Sequence, residues 1–376
     1  MAKLTLKEVS NTNAGADRQG ASAVTDVSLD VADGEFLAVA GAARSGKSAL
    51  LRLIAGLEPV SRGEILLGER RLNEVPAKDR DVALIVAGGN LYPHMTVEQN
   101  LAFGLKLRRF AETEIKKRVR EAAEVLGTAD LLARHPLSLS SEQRQRVAIG
   151  RAIVRQPKLF LFDDPLAGLE DAARAKLRTE IARLHQRLEA TVIYATADPA
   201  EAVALGDRIT LLRGGRVEQT GTPGEMRAAP ANSYVATFVG NPPMNLLRGS
   251  LKQERDALLF SEADNGTVEV RFVGPDGETW KELVGRPVLL GIRPEDIQVV
   301  SSGTDKGTVA AGFPAIVDVV EPNSTGADLY LQTGAHYLVC RSRSVFDRLE
   351  AGRRMRFTID PMYVHLFDGT SGERLR

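Results

Sequence analysis

Cysteine is nearly absent: Cys340 is the single thiol among 376 residues, so the chain cannot close a disulfide on itself. That usage suits a reducing compartment. Net charge is absent too, because 49 Lys and Arg balance 49 Asp and Glu. The balance excludes the bulk basic surface that nucleic acid binding demands, so no nucleic-acid partner is expected. Long apolar runs are missing. No stretch approaches the roughly 18 apolar residues of a membrane-spanning helix. The first ten residues, MAKLTLKEVS, hold no apolar signal-peptide core. Any membrane role must come through a partner. Aromatic residues are scarce at 5%, and Trp280 is the only tryptophan. What remains is an ordinary globular composition, 43% hydrophobic and 26% charged, in a chain long enough for two domains.

The texture changes once. Through about residue 236, strand-like and helix-like segments alternate. EFLAVAG, KLFLFDD and ATVIYAT read as buried strands. Ile115, Val119, Ala122 and Leu126 share one helical face, as do Leu177, Ile181, Leu184 and Leu188. RITLLRGGRVEQTG reads as a hairpin with a Gly-Gly turn. Such alternation predicts a parallel sheet covered by helices. Beyond GNPPMN come short strands split by Gly, Pro and Asp, the pattern of a small all-β barrel. The boundary is placed near 236–242, giving domains 1–236 and 237–376.

One motif carries the chemistry. GAARSGKS, Gly41 to Ser48, fits G-x-x-x-x-G-K-[ST] with a strand before it and a helix after. Backbone N–H groups of Gly41, Ala42, Ala43, Arg44, Ser45, Gly46, Lys47, Ser48 and Ala49 can cradle phosphate at a helix N-terminus. Lys47 is placed to reach the outer phosphates and Ser48 to ligate Mg²⁺. The bland reading is a Gly-rich turn with no ligand. Asp163 ends the apolar run LFLF, at the strand edge where a parallel sheet opens to ligands. It is the natural holder of Mg²⁺, and Asp164 beside it the candidate base; the bland reading is two exposed loop carboxylates.

GAARSGKS, LYPHMTVEQN, LSSEQRQRVAIGRA, LFLFDDPLAGLE and VIYATADPAEAV occur in the order found in one family. The chain resembles the ATP-binding subunits of ABC importers, closest to those energising uptake of maltose, other sugars and glycerol phosphate. GNPPMNLL and LLGIRPEDI look like that subfamily's C-terminal regulatory domain. The resemblance implies an α/β P-loop NTPase fold, a RecA-like core with a helical subdomain near 88–155. An oligomer-binding-fold (OB-fold, TOBE-like) regulatory domain follows. It implies MgATP held at a head-to-tail dimer interface, between one chain's phosphate loop and the other chain's signature turn. Implied partners are two membrane permease subunits, docking near Leu91–Leu107, and a second nucleotide-binding subunit, self or homologue. An extracytoplasmic solute-binding protein takes part indirectly. The implied location is peripheral, on the cytoplasmic face of the inner membrane.

The departures from the family pattern are informative. Its signature Leu-Ser-Gly-Gly-Gln is here Leu139, Ser140, Ser141, Glu142 and Gln143. Glu142 brings negative charge toward a phosphate. At about 4 Å and an effective dielectric near 20, each unit pair costs on the order of 4 kcal/mol unless the side chain turns away. The catalytic Glu is Asp164, the switch His is Ala197 and the glutamine before LYPH is Ala87, followed by Gly88 and Gly89, which are expected to loosen the segment. A shorter carboxylate and two methyl groups are poor tools for orienting water. Glu170 replaces the last Asp of the loop after the acidic pair, Arg44 replaces a glycine and Ala49 a threonine. The adenine-stacking aromatic is missing from NTNAGADRQGASAV, where Arg18 is the one candidate substitute. Phosphate and Mg²⁺ ligands are kept while hydrolytic groups are altered. The expectation is therefore an importer's ATP-binding subunit with weak or absent turnover. The alternative is a nucleotide-binding regulatory or scaffold protein that does not drive transport. Pairing with a competent homologue leaves neither composite site fully intact. His135 and Cys340 read as structural.

Overall fold

A computed structural model describes residues 2–11, 23–255, 257–273, 281–300, 312–343 and 351–375. Arg18, most of the segment expected to stack adenine, and Trp280 lie outside these. The chain divides into two compact units, Met1–Gly224 and Glu225–Arg376.

In the first unit the elements are β1 (Leu4–Asn11), β2 (Val24–Val31), β3 (Phe36–Ala40), α1 (Lys47–Ala55), β4 (Arg62–Leu67), β5 (Arg70–Arg71) and β6 (Val82–Val86). Then come α2 (Val97–Leu107), α3 (Glu112–Val125), α4 (Ser141–Ile153), β7 (Leu159–Asp163), α5 (Asp171–Leu188), β8 (Thr191–Thr196), α6 (Pro199–Leu205), β9 (Arg208–Arg213) and β10 (Arg216–Gly221). Two sheets form. One is antiparallel, in the order β2-β1-β4-β5; the other runs β10-β9-β3-β8-β7-β6. In the second sheet β9, β3, β8, β7 and β6 pair in parallel. Parallel strands need covering on both faces. One face packs on α1 and the antiparallel sheet, through Leu37, Val39, Leu50, Leu53, Ile54 and Leu161. The other packs Phe36, Phe160, Phe162 and Tyr194 against Leu177 and Ile181 of α5. Helices α2, α3 and α4 share a separate core that includes Leu101, Ile115, Val119 and Val147. Consecutive left-handed glycines, Gly214 and Gly215, turn β9 into β10, as a two-residue hairpin requires.

The second unit begins earlier than the change of texture near 236. The reason is packing: α8 (Ser233–Phe238), which follows α7 (Pro223–Ala228), seats Ala236 with Met244 and Phe367. Ser233 N–H also donates to Gly372 O at 2.8 Å. The body is all β. Strands β11 (Asn245–Glu254), β12 (Ala257–Glu262), β13 (Glu269–Val273), β14 (Pro287–Ile292) and β20 (His365–Asp368) make one sheet, in the order β13-β12-β11-β14-β20. Strands β15 (Ile297–Val299), β16 (Phe313–Asn323), β17 (Gly326–Gln332), β18 (Tyr337–Ser342) and β19 (Arg354–Ile359) make the other, in the order β15-β19-β16-β17-β18. One core joins both, with Phe260, Leu290, Leu329 and Phe357 in it. Cys340 is buried there, its thiol donating to Ile297 O and pushed up to a pKa of about 12 by burial.

Helix α1 ends on an unexpected support. Gly56 adopts a left-handed C-cap. Arg80, only 3% exposed, lies against it. Arg80 donates to the helix-end carbonyls of Leu53 (2.8 Å) and Ile54 (2.9 Å) and to Val75 O (2.8 Å). Arg80→Met takes the side-chain donor from the Ile54 and Val75 carbonyls, while Leu53 O keeps its bond from Gly56 N–H. It should destabilise the first unit by about 2–4 kcal/mol, read as a lower Tm in thermal unfolding; an unchanged Tm would show that water satisfies them.

Candidate functional site

The sheet places the chemistry at one edge. Strands β3, β6, β7 and β8 run in parallel and end at Ala40, Val86, Asp163 and Thr196. The residues just beyond those ends are therefore neighbours.

The phosphate loop leaves β3 at Gly41. A Cβ there would lie 2.4 Å from Leu212 O and 2.6 Å from Ser45 Oγ, so only glycine fits. Ala42, Ala43 and Arg44 form an exposed crest, while Ser45, Gly46 and Lys47 are buried. Arg44 has φ 64, the left-handed conformation that suits glycine. A non-glycine residue there costs about 1–2 kcal/mol. Gly46, at φ 109, opens α1. The first N–H groups of that helix have no intrahelical acceptors and face the loop. Lys47 Nζ donates to Gly41 O (2.7 Å) and Ala42 O (3.0 Å). Burial pushes its pKa down, and Asp164 and Asp163 oppose that shift. Ala49 is buried and points into the core.

Ser48 Oγ donates to Asp163 Oδ1 at 2.7 Å, joining the start of α1 to the end of β7. Asp164 follows at φ 43, a conformation Asp tolerates. Its N–H donates to Ala195 O, and its Oδ1 accepts from Ala197 N–H at 3.2 Å. Burial raises the Asp164 pKa; Lys47 and the Ala197 bond lower it, and Asp163 raises it. Asp164 and Ala197 thus meet, but by a backbone bond. The turn carrying Ala197 is fixed on its far side. Asp198 caps α6 through Ala200 N–H, and its own N–H donates to Thr196 Oγ1. Buried Glu201 accepts from Tyr194 Oη (2.9 Å) and Thr196 Oγ1 (2.8 Å). Burial raises the Glu201 pKa.

Ala87 follows β6. Gly88, Gly89 and Asn90 after it all have positive φ. This segment is bound rather than loose. Gln145 of α4 donates to Val86 O at 3.2 Å, and Arg151 donates to Asn90 O (3.0 Å) and Gly89 O (3.3 Å). A Cβ on Gly89 would lie 2.9 Å from Arg144 O, so α4 rests on that glycine. The expectation that the two glycines loosen the segment is corrected accordingly.

The signature turn forms the start of α4. Ser140 is its N-cap, in a reciprocal capping box with Gln143. Ser141 accepts from Arg144 Nη2 at 3.1 Å. Neither Ser141 nor Glu142 has positive φ, so the fold of the chain does not require glycine there. The Glu142 carboxylate lies along the helix, 2.7 Å from Arg146 Nη2 and 3.7 Å from Lys176 Nζ. Both cations belong to the same chain. The i,i+4 spacing of Glu142 and Arg146 was a readable signal, while Lys176 on α5 and Arg80 were not. Glu170 is the N-cap of α5 and makes no side-chain cap bond, its chain being longer than that of the capping residues Asp and Asn.

The donor set suits a nucleotide triphosphate with Mg²⁺. It combines a glycine-lined cradle, a buried ammonium, a hydroxyl–carboxylate pair and Ser45 Oγ, buried without a partner. Similarity to known proteins agrees. The ABC transporter model matches residues 24–167 and the MalK OB fold domain model residues 240–297. An sn-glycerol-3-phosphate import ATP-binding protein of Cupriavidus pinatubonensis is 40% identical over 100% of both chains. Its namesake in Escherichia coli K12 is 41% identical over 94% of this chain and 95% of its own. This chain is an ABC transporter ATP-binding protein. Family membership implies ATP hydrolysis with Mg²⁺. An uncharacterized ABC transporter ATP-binding protein of Bacillus subtilis, YurJ, is 41% identical over 93% of this chain and 94% of its own. Among solved structures, cbiO1 from Clostridium perfringens superposes with a TM-score of 0.55. It shares 26% identity and covers 60% of this chain and 90% of its own. The ATP-binding cassette MJ0796, bound to ADP and Pi, gives a TM-score of 0.51 at 27% identity, over 58% of this chain and 98% of its own. The OB-fold expectation for the C-terminal part and the ABC ATPase fold of the first unit are both shown.

The raised Asp164 pKa has a consequence for stability. Ionised Asp164 costs the nucleotide-free fold stability; that cost is absent below the ordinary carboxylate range near 4 and grows as pH rises through the raised value. Asp164→Asn should therefore raise the Tm of the nucleotide-free chain at pH 7, with the gain shrinking toward pH 4. A lower Tm at pH 7 would mean that the Lys47 attraction outweighs burial.

Proposed function

We propose that this chain is the ATP-binding subunit of an ABC importer for a sugar, glycerol phosphate or related polar solute. It binds MgATP at a dimer interface and turns it over slowly or not at all. The observation that carries the slow turnover is the state of Asp164, whose Oδ1 is engaged by the backbone of Ala197. Residues 197 and 87 meanwhile offer only methyl groups. Lys47, Ser48 and Asp163 would hold the phosphates and Mg²⁺, and the bound nucleotide would supply the phosphorus that water attacks. Ser140, Ser141, Glu142 and Gln143 would face a second chain's nucleotide. No described side chain near Ala197 takes over the role of the missing histidine.

A groove of about 1360 Å³ supports docking of membrane subunits. Tyr92, Phe103, Leu107 and Leu57 give it apolar walls, and Arg108, Arg151 and Arg155 line it with positive charge. Leu107 is 70% exposed and Leu57 58%, which is unusual for leucines without a partner. It includes part of the segment Leu91–Leu107 expected to meet the permease. No described helix is long and apolar enough to cross a membrane.

Purified full-length chain should bind MgATP, and Lys47→Ala should weaken that binding about tenfold or more. Steady-state turnover should stay below about 1 s⁻¹, at the floor of ordinary enzymes. Asp164→Glu with Ala197→His should raise it by on the order of 10-fold. Turnover of the unmodified chain near 1 s⁻¹ or above would overturn the weakened-ATPase reading. Co-purification with two membrane proteins is expected. Isolation without them, together with unchanged solute uptake on deletion, would favour the non-transport regulatory alternative.

A further inference from the structure

Glu142 sits where a carboxylate should repel the phosphate of a bound nucleotide, yet its surroundings remove much of that conflict. Arg146 Nη2 lies 2.7 Å from Glu142 and also 2.7 Å from Glu180 Oε1. Lys176 Nζ adds a third contact to Glu142 at 3.7 Å. Two acidic and two basic side chains thus form a self-neutral cluster. Glu142 and Arg146 stand one turn apart on α4, and Lys176 and Glu180 one turn apart on α5. The Arg146 side chain is 12% exposed and the Glu142 and Glu180 side chains 27% each, so water screens these pairs less than fully exposed ones. A charge-assisted bond of this length is also strong and directional, and one nitrogen, Nη2, holds both carboxylates. The carboxylate is drawn along the flank of α4, away from the amides of the helix's first turn. Those amides are where an anion belongs.

We infer that Glu142 is a positioning residue held by Arg146 and Lys176: the pairs withdraw its charge from the nucleotide face and fasten the signature turn to α5 of the same chain. The inference rests on the reading that Ser140–Gln143 meets a second chain's nucleotide. It makes the departure at 142 conditional. With the clamp closed, the Glu142 charge is held off the phosphate that the turn would meet. With the clamp broken, the free carboxylate opposes dimer closure. Helix α5 also begins directly after the loop that carries Asp164 to Glu170, so the clamp ties the signature turn to the helix leaving the catalytic loop.

Two measurements on the full-length chain test this. The first is a double-mutant cycle in thermal unfolding with Arg146→Met and Glu142→Ala. Arg146→Met leaves Glu180 unpaired in both backgrounds, so that loss cancels. The Tm loss from Arg146→Met should be clearly larger in the unmodified chain than in the Glu142→Ala background; equal losses overturn the clamp. The second measures the MgATP concentration that drives dimerisation, by sedimentation. Lys176→Met, at an exposed position that should not disturb folding, should raise that concentration about 3- to 10-fold, and adding Glu142→Ala should restore it. A loss that Glu142→Ala does not rescue overturns the positioning role. If the unmodified chain forms no MgATP-dependent dimer at all, the importer reading of the turn fails and the positioning role fails with it. The melting cycle still decides the clamp by itself.

Discussion

Everything at the site hangs on the bond between Ser48 Oγ and Asp163 Oδ1. It closes the gap between the first turn of α1 and the end of β7, two elements more than a hundred residues apart in sequence. The sheet makes that bond possible, since parallel strands all point their C-terminal ends the same way. Burial makes it durable. Helix α1 is packed through Leu50, Leu51, Leu53 and Ile54, each fully enclosed, and each such side chain contributes about 1.5–3 kcal/mol. A helix so anchored cannot drift, and the ammonium of Lys47 and the hydroxyl of Ser48 arrive at fixed places. The price is a buried ammonium, eased by two carbonyls and by the acidic pair.

The phosphate loop, the acidic pair and the strand–helix alternation were legible because their signals are local. A glycine spacing, an apolar run ending in Asp and a 3.6-residue period each speak for themselves within a dozen residues. Contacts across the fold were not legible. Arg80 looks like any surface arginine, yet it caps α1 from a loop after β5. Lys176 gives no hint that it faces Glu142. The Gly88-Gly89 pair reads as slack, but the close approach of Arg144 O turns one of those glycines into a packing requirement. Helix-forming composition says nothing about which core a helix joins, so the packing of Ala236 with Met244 and Phe367 had no local signal.

The same distinction sorts the departures from the family pattern. Those at 87, 164 and 197 remove atoms, and no neighbouring side chain replaces them. Asp164 engages the backbone of residue 197, which satisfies a carboxylate oxygen. The departures at 141 and 142 add atoms, and the structure absorbs both. Ser141 accepts from Arg144, and Glu142 from Arg146. Atoms removed and atoms added are therefore different cases, and only the added ones find partners within the chain.

Helix α4 bears on both sides of that problem. Its N-terminus is the signature turn. Farther along it, Gln145 and Arg151 hold the carbonyls of the segment that carries Ala87, and Arg151 lies 5.5 Å from the Tyr92 ring at the groove wall. Side chains of α4 thus reach back to the main chain of the groove segment. Because main-chain carbonyls are fixed acceptors, the segment cannot move without either breaking these buried bonds or taking α4 along. Breaking them strands Gln145, which already has one buried unpaired oxygen, so moving together is the less costly course. The groove wall and the start of α4 are thus parts of one mechanical element.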